Sequence, residues 1–234
     1  MMKRVAIVTL LLTILSGVVG SVWLFTHKKS PLFKPIQDYQ ITSELTFIPS
    51  EEVDKIMNRY LGLSFWEVEL DVIQAELTRL DWANQARVKR HWPDLLYVSI
   101  DEQKPVARWG DSALINQVGE VFYPKELYGF DNLVLLNGEL SDSERILESL
   151  VTFQEILNPI KLTISALRRQ LDGVWRIELI NGSKVVLDSK EAEQKLKIFV
   201  MAYSKLAKTL RKSPQVYDLR YSNGFIVGKA PKQV

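Results

Sequence analysis

The sequence predicts an α+β protein: a single N-terminal transmembrane helix, a small β-α-α-β-β domain, then a mixed β-rich domain with an antiparallel sheet and helices. Three observations support this class. An uncharged run of 21 residues, 5–25, lies near the start of the chain. Two helical apolar stripes within residues 50–80 precede two alternating segments within residues 83–100. The second half of the chain intersperses short strand patterns with two longer helical ones.

The uncharged run Val5–Phe25 predicts the membrane helix. As an α-helix, 21 residues extend about 31 Å, close to the roughly 30 Å hydrocarbon core of a bilayer. A cleaved signal peptide is the alternative, but its apolar region is shorter, and Val18-x-Gly20 is a poor cleavage site. Cations flank both ends of the run, so charge counting leaves its orientation open.

The first soluble domain is predicted from five successive patterns. An extended segment, Tyr39–Phe47, precedes a helix with Ser50 as its N-cap. A second helix begins at Asp71, where Asp71-x-x-Gln74 resembles a capping box. Apolar and polar residues then alternate in Ala83–Arg90 and again in Leu96–Ile100, which predicts a hairpin.

The second domain is predicted to hold short strands, two helices and two hairpins. Short strands are expected at Ala113–Ile115, Glu120–Tyr123 and Leu133–Leu136. One helix follows the capping box Ser141-x-x-Glu144, and a long helix opened by Asp188 carries an apolar stripe as far as Leu210. Asn181-Gly182 predicts a tight turn, and Tyr217–Tyr221 with Phe225–Val227 predicts a closing hairpin. The expected divisions of the chain are an N-terminus 1–4, a membrane helix 5–25, a linker 26–37, the first domain 38–107, the second domain 108–228 and a tail 229–234.

Composition excludes several classes of chemistry. The chain has no Cys and two His, so it lacks a disulfide framework, a thiol nucleophile and a multi-histidine metal site. Residues 1–29 contain four cations and no acid, which leaves 26 cations against 28 acids in residues 30–234. A general nucleic-acid binder would carry a basic domain, and this body is slightly acidic.

No catalytic, cofactor or metal motif emerges from the sequence. Asp101-Glu102 is interpreted as a solvated strand end, and His91 has no spacing that identifies a carboxylate partner. The basic residues of the strand at 87–90 are interpreted as a solvated face, with a partner-binding or lipid-headgroup face as the alternative. Core burial is expected for five tryptophans: Trp66, Trp82, Trp92, Trp109 and Trp175.

The closing hairpin is the most specific binding hypothesis that the residues support. Tyr221 and Phe225 flank its turn, and a C-terminal hairpin is often the last strand of a sheet. An uncovered edge strand presents unpaired backbone groups that another chain can extend. The alternative is a hairpin that only closes the sheet.

The order and spacing of these patterns resemble the FtsQ/DivIB family of bacterial cell division proteins over about residues 5–228. The densest likeness to its POTRA segment and exit comprises Leu80-Asp81-Trp82, Val88-x-Arg90-x-Trp92-Pro93-Asp94, Leu96-x-Val98-x-Ile100-x-Glu102 and Pro105-Val106-Ala107-Arg108-Trp109. LINQVGEVF (114–122) is similar to the start of the family's β-rich domain, and VYDLRYSNGFIVG (216–228) to its closing strand pair.

The resemblance implies a non-enzymatic scaffold of the divisome, without cofactor. It implies a single-pass protein of the bacterial inner membrane, with a cytoplasmic N-terminus and a periplasmic body, enriched at the septum. Such a scaffold links early cytoplasmic division proteins to late septal peptidoglycan synthesis. It contacts other divisome membrane proteins and binds the FtsB/FtsL subcomplex by adding an FtsB segment to its C-terminal edge strand.

The partner-binding residues that the resemblance implies are Arg220, Tyr221, Asn223, Gly224, Phe225, Ile226 and Val227. Tyr221 would be the aromatic anchor, Arg220 an ion-pair donor to a partner acid, and residues 225–227 the pairing edge. Some relatives carry an aromatic residue where this chain has Lys229. In the POTRA segment, a recruitment surface is expected along Asp81–Trp92.

Two other functions remain as alternatives. A POTRA-type chaperone or docking module of another envelope assembly system would normally precede a long barrel sequence. A membrane-anchored cell-wall enzyme would need a nucleophile or metal constellation that this sequence does not show.

Overall fold

The computed structural model describes residues 2–26, 34–127, 129–212, 214–221 and 224–229. The first element is helix α1, Met2–Thr26. Within the described residues, no helix combines the length and the hydropathy required to cross a membrane. The predicted transmembrane assignment is therefore not confirmed and stays a prediction. Most of the predicted linker and tail, residues 27–33 and 230–234, lie outside the described residues.

The chain divides into two compact units, Met1–Gln103 and Lys104–Val234. After α1, the first unit has the predicted order β-α-α-β-β. Its elements are β1 (Asp38–Ile41), α2 (Ser50–Met57), α3 (Leu70–Thr78), β2 (Ala83–His91) and β3 (Leu95–Glu102). The three strands form one sheet in the order β1-β3-β2, with β1 parallel and β2 antiparallel to the central β3.

Side-chain alternation explains the hairpin of β2 and β3. Ala86 and Val88 are buried while Arg87 and Lys89 are exposed, as a period of two requires for a sheet with one covered face. The helices cover that face with the buried side chains of Val53, Met57, Ile73 and Leu77. Both the hairpin and the two apolar stripes are confirmed.

Local details of the first unit differ from the predictions. Pro49 occupies the N-cap position of α2, and no side chain caps the helix, so the assignment of Ser50 as N-cap is wrong. Glu69 holds the N-cap position of α3, and the Gln74 amide accepts a hydrogen bond from the Val88 N–H at 3.1 Å, so Asp71-x-x-Gln74 is not a capping box.

The extended segment Tyr39–Phe47 forms a strand only as far as Ile41. Beyond it, the Glu102 carboxylate accepts hydrogen bonds from the backbone N–H groups of Thr46, Phe47 and Ile48, at 2.8–3.0 Å. These bonds satisfy backbone N–H groups that would pair with a neighbouring strand if the strand continued. The interpretation of Glu102 as merely solvated is therefore wrong.

Core burial is wrong for two of the five tryptophans. Trp109 and Trp175 are buried in the second unit, and Trp82 is half-buried with its ring stacked on Phe47 at 4.2 Å. Trp66 and Trp92 are 52% and 62% exposed. Trp66 follows the buried Phe65 in a loop, and Trp92 lies in the turn of the β2–β3 hairpin, where strand alternation no longer determines which side chains are buried.

The second unit is built on a nine-stranded sheet in the order β12-β11-β10-β9-β8-β7-β4-β5-β6. The strands are β4 (Pro105–Trp109), β5 (Ala113–Asn116), β6 (Val121–Phe122), β7 (Leu135–Asn137), β8 (Ile164–Arg169), β9 (Trp175–Leu179), β10 (Lys184–Leu187), β11 (Gln215–Asp218) and β12 (Ile226–Lys229). The helices are α4 (Ser143–Leu157), α5 (Ala192–Tyr203) and α6 (Lys208–Lys212), with 3-10 turns at Leu140–Asp142 and Asn158–Ile160.

The α+β class is confirmed, but the large sheet is mixed rather than antiparallel. The pairs β10–β11, β4–β7 and β7–β8 are parallel, and the other pairs are antiparallel. Helices α4 and α5 contribute Ile146, Phe153, Leu196 and Phe199 to a core that the sheet completes. The strands β4 and β8 have no counterpart among the predicted elements.

Two helix predictions in the second unit are wrong in detail. Ser141 and Glu144 form no capping box, because a 3-10 turn occupies residues 140–142 and α4 starts at Ser143, whose hydroxyl donates to the Gly119 carbonyl at 2.7 Å. The long helix opened by Asp188 begins at Ala192, after Glu191 in a left-handed conformation, and ends at Tyr203. The stretch that includes Leu210 belongs to the separate helix α6.

Candidate partner-binding edge

The closing strand β12 lies at one edge of the nine-stranded sheet. Within the described residues it pairs with β11 alone, in a register that matches Tyr217 with Val227 and Asp218 with Ile226. The other edge strand, β6, has only two residues. A strand at an edge has a row of backbone N–H and C=O groups directed away from the sheet. Of the two edges of this sheet, β12 is the longer, with four residues.

An aromatic cluster under the hairpin holds β12 in place. Phe225 contacts Phe199 of α5 with ring centroids 5.3 Å apart, and Phe199 contacts Tyr217 of β11 at 4.9 Å. Val227 is half-buried against the same core. Ile226, which alternates with these residues, is 53% exposed. Among the described residues, one face of β12 is thus fixed by packing, while Ile226 on its other face is exposed and its outer edge has no paired strand.

Tyr217 connects β11 to helix α6. Its ring is buried, and its hydroxyl donates to the Leu210 carbonyl at 2.8 Å. Burial, reinforced by neighbouring Tyr203, raises the pKa of Tyr217 to about 12. The hydroxyl is therefore a neutral donor throughout the physiological range, and it supports the strand next to the edge.

Arg220 already has an acidic partner within the chain. Its guanidinium donates to the Asp218 carboxylate through Nε at 2.9 Å and through Nη2 at 2.6 Å. These hydrogen bonds hold the pKa of the Asp218 carboxyl below its ordinary value, and they raise the pKa of Arg220. A partner acid would therefore share this guanidinium with Asp218, which modifies the role that the family resemblance implied.

The backbone next to Tyr221 is held by a lysine that sequence reasoning missed. Lys195 of α5 donates from Nζ to Asp188 Oδ2 at 2.9 Å and to the Arg220 carbonyl at 3.3 Å. One residue earlier, the Leu219 N–H donates to the Val186 carbonyl at 2.7 Å. In the sequence, the one residue that could have indicated this contact is Asp188, which was interpreted as the start of a helix.

Two other predicted site residues, Tyr221 and Gly224, lie between β11 and β12. Tyr221 is 53% exposed, and Gly224 is exposed with a φ of 149°, a conformation that side-chain-bearing residues rarely adopt. Lys229, at the end of β12, is exposed. Asn223 lies outside the described residues. The structure thus brings Arg220, Tyr221 and β12 to one edge of the sheet.

The described part of the chain was predicted to contain no metal site, and its acidic and histidine side chains can be compared with that prediction. No group of three or more His, Cys, Asp or Glu side chains there is placed to hold a metal ion. The ring of His91 stacks on Tyr97 at a centroid distance of 4.5 Å, which accounts for its position on β2.

Comparison with known proteins matches both units. Residues 107–220 match the family described as "Cell division protein FtsQ/DivIB, C-terminal", and residues 34–103 match "POTRA domain, FtsQ-type". The match to the C-terminal domain of the family ends at Arg220, so β12 and its turn lie outside the matched residues.

Relatives with the name "Cell division protein FtsQ" align over most of the chain. The protein of Allochromatium vinosum is 31% identical over 91% of this chain and 84% of its own length. The protein of Coxiella burnetii is 28% identical over 96% of this chain and 91% of its own length, and that of Methylomonas methanica is 27% identical over 89% and 84%.

Proposed function

This chain belongs to the FtsQ/DivIB family of cell division proteins, and we propose that it acts as a membrane-anchored divisome scaffold that binds FtsB, in complex with FtsL, by strand addition at β12. Its role in cell division follows from the family. The scaffold would connect early cytoplasmic division proteins with late septal peptidoglycan synthesis, through contacts with other divisome membrane proteins and without enzymatic activity of its own.

The anchor in this proposal is the uncharged run Val5–Phe25, which lies within α1. We assign it to a single pass through the inner membrane at the division septum, with residues 1–4 in the cytoplasm and the body in the periplasm. The body comprises the POTRA domain at 38–107 and the β-rich domain at 108–228. Support for the anchor is its length and lack of charge, which suit a bilayer core.

The edge position of β12 is the observation that carries the binding site. Strand addition needs a free edge, and β12 presents four residues of backbone in an arrangement fixed by the aromatic cluster beneath Phe225. Because this edge is already ordered, the conformational entropy lost on binding comes mainly from the partner segment.

Alternation along the strands also constrains the partner segment. A strand that pairs with β12 places every second side chain on the face where Phe225 and Val227 pack, and the others beside exposed Ile226. We therefore expect apolar residues at alternate positions of the FtsB segment. Gly224, whose φ is 149°, directly precedes Phe225 and this edge.

Arg220 and Tyr221 would form the upstream end of the contact. Tyr221 offers an exposed ring with a polar tip, the type of side chain that dominates many interfaces. Asp218 uses two of the five guanidinium N–H donors of Arg220. An acid of the FtsB segment can therefore bind the same guanidinium without removing Asp218.

Binding of the full chain to purified FtsB/FtsL tests the proposal. Tyr221→Ala should lower the affinity by about tenfold or more, the usual cost of losing an aromatic anchor. Tyr123→Ala is the matched control, because Tyr123 is 58% exposed just after β6, at the opposite edge of the same sheet. Equal binding of wild type and Tyr221→Ala, with native circular dichroism, would exclude this edge as the site.

A further inference from the structure

The first unit exposes three large apolar side chains at one end. Leu63, Trp66 and Trp92 are 46%, 52% and 62% exposed, and we call these three residues the tryptophan patch. The β2–β3 turn accounts for Trp92, and the loop between α2 and α3 accounts for the other two. Exposed tryptophans grouped in this way are unusual for a surface that faces only water.

Backbone contacts show that the patch lies where the chain enters this unit. The Ile36 N–H donates to the Leu63 carbonyl at 2.9 Å, and the Gln37 N–H donates to the Asp94 carbonyl at 2.8 Å. Pro35 forms an isolated bridge with Ser64. We call this the near end of the unit, where β1 and β3 begin and β2 ends.

Arg90 fastens the loop that carries Trp66 to the end of β2. Its guanidinium donates to the carbonyls of Phe65, Trp66 and Val68, and the bond to Phe65 is 2.7 Å. Phe65 is buried beneath the loop, with its ring 5.2 Å from that of Trp66. The exposure of Trp66 is therefore a fixed feature of the fold, and it is not the result of a loop without contacts.

We propose that the tryptophan patch docks the first unit on the lipid headgroup layer of the membrane that holds α1. This inference rests on the anchor in the proposed function. Helix α1 ends at Thr26, and the described chain resumes at Lys34. Eight Cα steps extend at most about 29 Å, so the near end stays within reach of the bilayer surface.

The chemistry of the patch suits a headgroup layer. Tryptophan is enriched at membrane–water interfaces because its ring is apolar and its N–H is polar. The charged side chains around the patch have both signs: Lys34 lies 3.6 Å from Asp94, and Lys89 and Glu67 are both exposed. Docking would therefore depend on the tryptophan rings more than on anionic lipid, and added salt would change it little.

The absence of cysteine in the chain permits a direct test with single fluorophores. The full chain, labelled at Glu67→Cys beside the patch, is reconstituted in phosphatidylcholine vesicles that contain headgroup-level nitroxide lipids. The expected result is strong quenching of this label, in low and in high salt. A label at Glu44→Cys, at the far end of the unit, should be quenched little, because β3 separates the two ends by about 23 Å.

Substitutions within the tryptophan patch test whether the patch causes this quenching. Trp66→Ser combined with Trp92→Ser should reduce quenching at position 67 to the level at position 44. The matched control, Ile180→Ser, removes another exposed apolar side chain, in a turn of the second unit, and should leave quenching unchanged. Circular dichroism and thermal unfolding verify that the doubly substituted chain keeps its fold.

A third label, at Val18→Cys in α1, separates failure of the docking from failure of the anchor. Quenching of that label by deep acyl-chain nitroxides, with none at position 67, would overturn the docking and leave the anchor intact. A water-accessible label at Val18 would overturn the anchor itself. If shielding of position 67 from aqueous iodide rises with protein density in the vesicle, a second copy covers the patch and lipid docking is wrong.

Discussion

The guanidinium of Arg220 binds Asp218, two residues before it, through two N–H···O hydrogen bonds of 2.9 and 2.6 Å at the end of β11, and the Arg220 backbone N–H adds a third of 3.1 Å. The guanidinium is thereby fixed beside Tyr221 before a partner arrives. Fixing a long side chain in advance reduces the rotamer entropy lost on binding. In the proposed interface, Asp218 is therefore a positioning residue for Arg220, although it need not touch FtsB.

Asp218→Asn should show how much this pair stabilises the fold. Near neutral pH the free energy of unfolding should fall by less than about 1 kcal/mol, as is usual for an exposed pair. Because hydrogen bonds from Arg220 lower the pKa of Asp218 from its ordinary value of 3.8, the stabilisation is complete above that value and disappears as pH falls through the lower folded-state pKa. Chemical denaturation of both proteins across the acid range measures it, and a difference that persists where Asp218 is protonated in both states would contradict this account.

Lys195→Met should weaken FtsB/FtsL binding although Lys195 lies outside the predicted site. Its ammonium holds the Arg220 carbonyl and Asp188, so its loss frees the backbone next to Tyr221. Lys197→Met is the matched control, since Lys197 is an exposed lysine on the same helix. The measurement is affinity for the purified subcomplex, and equal losses in both variants would point to a general effect of charge on α5.

The same substitution should also destabilise the fold, by about 1–2 kcal/mol, because a partly buried carboxylate loses its cation. Oδ1 of Asp188 is already buried without a hydrogen-bond partner among the described residues. Adding Asp188→Asn to Lys195→Met should recover part of the stability without restoring the affinity. A double variant that regains full binding would show that lost stability, and not a freed backbone, caused the weaker binding.

Periodic features of the fold were predictable from the sequence because they repeat over short distances. Ala86 and Val88 alternate with Arg87 and Lys89, and burial follows that alternation residue by residue. The last hairpin was expected at a sheet edge, and β12 lies there. Strands that lack this regularity, such as β4 and β8, escaped prediction.

Contacts between distant residues left no local signal. Glu102 binds backbone groups some 55 residues earlier, and Lys195 binds a carbonyl 25 residues later. Each geometry exists only after packing has brought two elements together. Trp66 and Trp92 were misjudged for a related reason: periodicity predicts burial within an element, whereas both residues lie between elements.

Tyr217→Phe should change the response of the second unit to alkaline pH. The variant loses a buried hydrogen bond to Leu210, at a cost of about 1 kcal/mol near neutral pH. In the wild type, the pKa of Tyr217 is raised from 10.0 to about 12, so its contribution is complete below pH 10 and is lost as pH rises through 12. Denaturation curves of wild type and Tyr217→Phe should therefore approach each other as pH rises above 10 and then cross, because a shift of two pKa units corresponds to about 3 kcal/mol.

Tyr39→Phe provides the comparison in the first unit. Burial and a hydrogen bond to Asp54 raise the pKa of Tyr39 to about 12 as well. Ionisation of Tyr39 at alkaline pH should therefore reduce the stability of the first unit, through contacts that Tyr217 does not share. Backbone amide exchange followed separately in each unit distinguishes the two effects. If the second unit of Tyr217→Phe still loses stability at alkaline pH, a group other than Tyr217 is responsible.

Glu102→Ala should destabilise the first unit far more than substitution of its neighbour on β3. Glu102 accepts three backbone N–H groups, from Thr46, Phe47 and Ile48, and hydrogen bonds to a charged group contribute about 1.5–3 kcal/mol each at most. Because water replaces part of this interaction, we expect a total loss of about 2–3 kcal/mol in the free energy of unfolding. Asp101→Ala is the control, because Asp101 makes an exposed pair with Arg87 that contributes less than about 1 kcal/mol. Faster amide exchange at residues 46–48 in Glu102→Ala alone would confirm the mechanism, whereas equal losses in the two variants would show that the carboxylate does not hold this loop.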